Sequence, residues 1–381
     1  MSDERDHLRP VRERGVLPSQ RILDLISSGS ITSSQPIVAK QIQPSSLDLR
    51  LGPIAYRVRA SFLPGKHSRV EEKLRDLSMD EISLENGAVF EKGCVYIVPL
   101  MEEWRRLPDD YHGKANPKSS TGRLDIFTRL ITDYGNEFER VPAGYKGKLY
   151  TEVVPRTFSV KVCAGMSLNQ LRIVKGNPLP SRAESTLEKL HREAPLSFTP
   201  DDLPADTPRV VSVDLTGGAD GSEIVGYRAL AHAPLIDLSL IDHYDPEDFW
   251  EPIRIPRKLA ARRIILNPDE FYILVSKEKI RILPDMAAEM VSQDPLIGEF
   301  RSHYAGFFDP GFGYNVPEGQ GTRAVLEVRS HEVPFVLEDG QIVGRLEYEW
   351  LTETPDIIYG PKIGSSYQTQ GLQLSTQFKR W

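Results

Sequence analysis

Apolar positions in this chain come in short runs. VYIVPL (Val95 to Leu100), KLYTEVV (Lys148 to Val154), FSVKV (Phe158 to Val162), FYILVS (Phe271 to Ser276), RAVLEV (Arg323 to Val328) and PFVL (Pro334 to Leu337) are rich in β-branched and aromatic residues, and Gly or Pro breaks up the sequence around them. Runs of that length predict strands, and their number and punctuation predict a mostly β fold, an antiparallel sandwich or barrel. Helical spacing is found at Ser19–Ser27, Glu71–Asp76 and Met286–Val291, and over Ala183–Glu193 in a stretch that otherwise reads as linker. In RAVLEVR the two-residue period puts Ala324, Leu326 and Val328 on one face and Val325, Glu327 and Arg329 on the other.

The pattern repeats at long range. The stretch Gly93 to Val98, followed by Leu107-Pro108-Asp109, has a counterpart 176 positions later in Asp269 to Leu274, followed by Leu283-Pro284-Asp285. Glu152, Gly165 and Leu171 recur 175 positions on as Glu327, Gly340 and Leu346. A weaker echo pairs LDLRL (Leu47 to Leu51) with IDLSL (Ile236 to Leu240) at the opening of each copy. A period this long indicates a duplicated domain and not a solenoid. The expected organisation is an N-terminal tail (1–15), a first domain (16–176), a linker (177–208), a second domain (209–350) and a C-terminal tail or lid (351–381). The Gly-, Ser- and Gln-rich stretch from Gly364 to Phe378 is expected to stay out of any core.

Charge narrows the partners. With 47 basic and 54 acidic residues the net charge is −7, which argues against a general nucleic-acid or anionic-membrane binder. Two cysteines exclude a disulfide scaffold and a zinc site built from several cysteines. No apolar run approaches the roughly 18 residues needed to span a bilayer. The first fifteen residues alternate acid and base without an apolar segment, so no secretory signal is expected there and the expected location is cytoplasmic.

Four strings carry candidate chemistry. PKSSTGR (Pro117 to Arg123) offers Lys118, Ser119, Ser120 and Arg123 to a polyanion, although it lacks the spacing of a Walker loop. Glu152 and Glu327 sit mid-strand at matching positions, where partial burial would raise a carboxylate toward the range of a general base. AGFFDPGFG, from Ala305 through Asp309, reads as a tight Gly-rich turn able to hold a ligand on its backbone. In the tail, Tyr367 could stack on a base and Gln370 could reach phosphates. Taken singly, each string also fits an ordinary turn, a solvated strand face or a disordered end. His191-Arg192-Glu193 resembles half of a zinc deaminase signature, but no P-C-x-x-C accompanies it.

Taken in order, the strings resemble a family. QPSSLDLRLG, LPDD, KSSTGR, GYKGKLYTEV and AGMSLNQL, followed by FDPGFG, LEV, DGQIVGRL and YQTQG, are similar to the series found in dCTP deaminases of the trimeric dUTPase-like superfamily. The resemblance implies distorted jelly-roll (β-clip) domains with sites between neighbouring domains. It also implies zinc-independent hydrolysis of dCTP to dUTP and ammonia for pyrimidine deoxynucleotide synthesis, with Mg2+ on the triphosphate and a homo-oligomer as the assembly. Lys118 stands where the family has Arg, which loses the bidentate fork. The first copy lacks the family's Asp in the I-D-P-G turn, and the second lacks the serines and arginine, so the pattern is whole only across both. One composite site is therefore expected, with Ser119, Ser120 and Arg123 facing Ala305, Asp309 and Glu327 under Tyr367 and Gln370. Glu327 is then the working base and Glu152 a vestige. The alternatives are a dUTP pyrophosphatase, a bifunctional enzyme and a non-catalytic nucleotide sensor.

Overall fold

The computed structural model describes residues 11–176, 184–198, 209–217, 222–256, 261–292, 300–302, 306–316, 321–330, 333–360 and 371–380. Strands dominate, and their pairing follows the same scheme twice. In the first half, Leu47–Arg50 and Tyr111–Pro117 flank Ser167–Lys175, while Ile54–Val58, Val95–Trp104, Gly147–Pro155 and Ile126–Thr132 form a second sheet in that order. In the second half, Val210–Ser212 and Met286–Ser292 flank Ile342–Trp350, and Ile224–Ala229, Phe271–Ile280, Thr322–Ser330 and Phe300–Ser302 follow in order. Glu152 sits opposite Ile97 and Glu327 opposite Ile273, so the two glutamates hold matching positions in their sheets.

Helices form where the sequence favours them, at Ser19–Ser27 and Val70–Leu77. Met286–Ser292, expected to be helical, is a strand: all seven residues pair with Ile342–Trp350, from Met286 opposite Trp350 to Ser292 opposite Gly344. Pairing across the sheet overrides the modest local helix preference of MAAEMV.

The opening of the second half also lies elsewhere than the IDLSL echo. Ile236–Asp237 runs parallel to Val160–Lys161 in a small sheet of the first half. The counterpart of Leu47–Arg50 in the second half is Val210–Ser212, each pairing with the matching strand of its own half. Arg50 donates from its backbone and its Nε to the buried Glu102, at 2.7 and 2.8 Å, and Ser212 donates in the same way to the buried Glu278, at 2.8 Å from N and 2.6 Å from Oγ. The linker's expected helix forms at Glu184–Glu193, and the stretch also holds a strand, Ser197–Phe198, that pairs with Ile280 as Ile31 pairs with Trp104.

One core cluster belongs to the second half alone, built around Tyr272, Leu326, Leu346 and Tyr348. Another crosses between halves, joining Leu49, Leu124, Ile126 and Phe158 to Trp250, Phe271, Ile273 and Val325. The strand Thr322–Ser330 is thus buried on both faces: Ala324, Leu326 and Val328 face their own core, and Val325 packs into the shared one. The tail departs from expectation where it is described. Leu374 and Phe378 are buried, and Phe378 packs edge-on against Phe249 and Trp250 at 5.3 and 6.0 Å. Two large apolar side chains among polar ones are enough to anchor it.

Candidate active site

The strand Tyr111–Pro117 delivers the chain into one helical turn, Ser119–Gly122. Lys118 enters it in extended conformation, and its carbonyl accepts from Thr121 N at 2.8 Å and Gly122 N at 3.0 Å. This geometry sorts the side chains: Ser119 is exposed, Ser120 half-buried, and Thr121, Gly122 and Arg123 are buried. The two serines are therefore reachable from solvent, while Thr121 and the Arg123 guanidinium lie inside.

What the turn meets is Glu327. A Cβ on Gly122 would lie 2.6 Å from Glu327 Oε2 and 2.9 Å from Oε1, so the carboxylate rests directly on the glycine. Only a residue without a side chain permits that approach. Burial pushes Glu327 up to about 8, the nearby Arg123 pulls it down, and Asp125 raises it. Among the described residues nothing hydrogen-bonds its carboxylate, which leaves both oxygens available to a ligand or water.

The lysine end of the turn meets the second half at Asp309. Ser45 Oγ donates to Asp309 Oδ1 at 2.6 Å, and the fully buried Arg172 lies 3.9 Å away, donating at 2.8 Å to the carbonyl of Phe308 and at 2.9 Å to that of Ala288. Burial raises Asp309, and Arg172 and Ser45 oppose that rise. Lys118 pairs with the buried Asp48. The turn after Asp309 requires glycine: Gly311 has φ +94°, and a Cβ there would lie 3.0 Å from the Tyr359 carbonyl. The C-terminal segment closes the opposite side, with Gln373 O accepting from Arg123 Nη1 at 3.0 Å and Ser375 Oγ donating to Ser120 O at 2.8 Å.

The structure thus brings together Lys118, Ser119, Ser120, Arg123, Asp309 and Glu327. It treats Glu152 differently: fully buried, it gives Oε1 to Arg129 Nε and Nη2 at 3.0 and 2.6 Å, and that guanidinium stacks on Phe138 at 3.5 Å. Ala305, Tyr367 and Gln370 lie outside the described residues. A separate open cleft of about 740 Å3, lined among others by Arg69, Glu71, Tyr134 and Lys148, contains none of these residues, and its Lys148 and Glu71 pair at 2.7 Å.

Comparison with known proteins identifies the family. Residues 13–177 match the family model for the N-terminal domain of 2'-deoxycytidine 5'-triphosphate deaminase, and residues 183–378 match that for its C-terminal domain. A crystal structure of 2'-deoxycytidine 5'-triphosphate deaminase from Agrobacterium tumefaciens is 50% identical, with a TM-score of 0.83 over 89% of this chain and 100% of that one. The chain belongs to the dCTP deaminase family. Its β-rich dUTPase-like fold follows with it. More distant relatives align with less of the chain. "dCTP deaminase, dUMP-forming" of Methanobrevibacter smithii is 29% identical over 36% of this chain and 70% of its own length, and the protein of that name from Dictyoglomus turgidum is 32% identical over 39% and 73%. "dCTP deaminase" of Natronomonas pharaonis is 26% identical over 47% and 84%.

Sequence reasoning passed over Gly122, Ser45, Asp48 and Arg172. Ser45 and Asp48 stand inside QPSSLDLRLG, and their signal was the half-specific occurrence of that string: Val210–Ser212, which takes the place of Leu47–Arg50, has no aspartate. Arg172 left a plainer trace, a charged residue inside the apolar run LRIV, which a buried strand does not keep without partners.

Proposed function

We propose that this chain hydrolyses the cytosine amino group of dCTP, releasing ammonia and dUTP, at one composite site per chain that the two copies of a duplicated domain build together. The observation that best supports this is the Glu327 carboxylate lodged on Gly122, between the serine turn of one half and the strand of the other.

Cytosine C4 is a weak electrophile, so water must be deprotonated as it adds. Glu327 takes a proton from the water while the C4–O bond forms, and passes it to N3 of the ring. It then takes the proton of the new C4 hydroxyl and gives it to the amino nitrogen. The C4–N bond breaks, ammonia leaves, the C4 carbonyl closes, and Glu327 ends as it began. A carboxylate held near 8 is suited to both halves of that cycle. Ser119 orients the water. Arg123, close enough to lower the proton affinity of Glu327, balances the charge that develops. In this reading glutamate, and not zinc, activates the water. Lys118 and Ser120 meet the phosphates, Asp309 and Ala305 hold the nucleoside, and Tyr367 and Gln370 close over it.

Magnesium belongs to the substrate in this scheme. Among the described residues no three His, Cys, Asp or Glu side chains gather where they could hold a metal, and Asp48 beside Lys118 is already paired. The ion would bridge phosphate oxygens and keep water as its other ligands.

A second reading follows from the relatives named as dUMP-forming, namely a deaminase that also releases pyrophosphate. Incubation with dCTP and Mg2+, followed by chromatography and an ammonia assay, separates the readings. Ammonia with dUTP is expected. Ammonia with dUMP and pyrophosphate would replace the first reading by the second, and unchanged dCTP would sink both.

A further inference from the structure

Two residues beyond each key side chain lies a second contact between the halves. Arg123 is followed by Asp125 and Glu327 by Arg329, and those two form a buried ion pair. Thr157 completes it, donating to Asp125 Oδ2 at 2.5 Å and accepting from Arg329 Nη2 at 2.9 Å. Arg329 also donates to the Asp269 carbonyl. Asp125 has φ +54°, a left-handed conformation that a non-glycine residue adopts at a cost, and its backbone is pinned on both sides. Its N–H donates to Gly122 O at 2.8 Å, and its carbonyl accepts from Arg156 N at 2.9 Å.

We propose that Asp125, Arg329 and Thr157 form a buried clamp that holds the Arg123 turn of the first half in register with the Glu327 strand of the second, and that this clamp is a positioning element of the reaction. The proposal rests on the reading of Glu327 as the proton carrier. A buried ion pair is a poor means of simply gluing two surfaces, because apolar residues of similar volume do so at least as well. Charges at this place have a second effect. The charged groups that act on Glu327 are Arg123 and Asp125 on the turn; Arg329 stands two residues further along its own strand, and Ile273 faces it from the neighbouring strand. Asp125 favours the protonated form of Glu327, and Arg329 offsets that influence by pairing with Asp125.

The two partners are therefore expected to act in opposite directions. In the full-length protein, Asp125→Asn should move the acid limb of the kcat/KM profile for dCTP to lower pH, and Arg329→Gln should move it to higher pH, each by about half a unit. Both should lose about tenfold or more in kcat, with Arg329→Lys recovering part of it. A merely structural clamp would lower the amplitude in both and leave the limbs in place. Thr157→Val keeps both charges, so it should lose several-fold in kcat with the limb unmoved; it remains informative if Arg329→Gln does not fold. Limbs that stay put or shift together in folded protein overturn the proposal, as does an unchanged kcat in Thr157→Val. Glu327→Gln is measured alongside. If it retains turnover the proton-carrier reading fails, whereas an inactive Glu327→Gln with unmoved limbs in the clamp variants removes the clamp alone.

Discussion

Glu152 and Glu327 occupy the same place in two similar sheets and live in opposite surroundings. Glu152 is neutralised by Arg129, whose guanidinium lies flat on Phe138. Among the described residues no ion pair holds Glu327 in this way; it presses on a glycine, and burial raises it to about 8. A carboxylate held by a fixed cation through one oxygen is a poor proton carrier. One raised by burial at a seam between the two halves is costly to the fold and suited to proton transfer. The difference teaches that an equivalent position in the fold does not fix a side chain's electrostatics: the partner supplied by the facing surface does.

The widest separation between the two should appear in turnover. Glu327→Gln is expected to lose about a thousandfold or more in kcat for dCTP, the range for removal of a general base, while Glu152→Gln stays within a few-fold of the parent. The reverse ranking would transfer the chemistry to the first half. Stability should rank the other way round. Arg129→Met strands the buried Glu152 charge and is expected to cost about 3 kcal/mol in denaturant unfolding. The double variant Arg129→Met/Glu152→Leu should recover most of that, and equal losses in both would show that packing matters there and not charge.

Gly122→Ala probes the contact that Glu152 lacks. The added methyl must displace the Glu327 carboxylate, and a shift of about 1 Å at a reacting group costs about a hundredfold in kcat with the fold intact. Near-normal turnover would mean that the carboxylate works from elsewhere. The comparison also extends to the pH dependence of stability. Glu327 binds its proton more tightly folded than unfolded, so its contribution is fully present below about pH 4.5 and is lost as the pH rises through about 8. Thermal melts should therefore show Glu327→Gln gaining on the parent between pH 5 and pH 9, and parallel curves would contradict the raised affinity.

Much of this comparison could be read in the sequence, and the reasons for the rest are physical. Local composition marks strands well, and so do recurrences of Glu and Gly at one register; both halves of Glu152/Glu327 and the KSSTGR turn surfaced that way. Met286–Ser292 misled because its pairing with Ile342–Trp350 is non-local. The echo at Ile236 misled because five residues are too few to fix an alignment, whereas the Arg50–Glu102 and Ser212–Glu278 contacts fix it in space. Ser45 reaches Asp309 across 264 positions, and Arg329 reaches Asp125 across 204, distances at which no sequence spacing carries information. The tail resembled a disordered segment on composition, which averages over Leu374 and Phe378 and hides them.

The contact between Gly122 and Glu327 is made within one polypeptide. In a site shared by separate subunits, the partner's concentration decides how much of it exists. Here the facing surface is present at the effective concentration set by the connection itself, which no dilution lowers. Each half can then present a different set of side chains to the seam: Asp48 in the first half has Val210 at the matching position of the second, and Glu152 is locked by Arg129 where Glu327 is not.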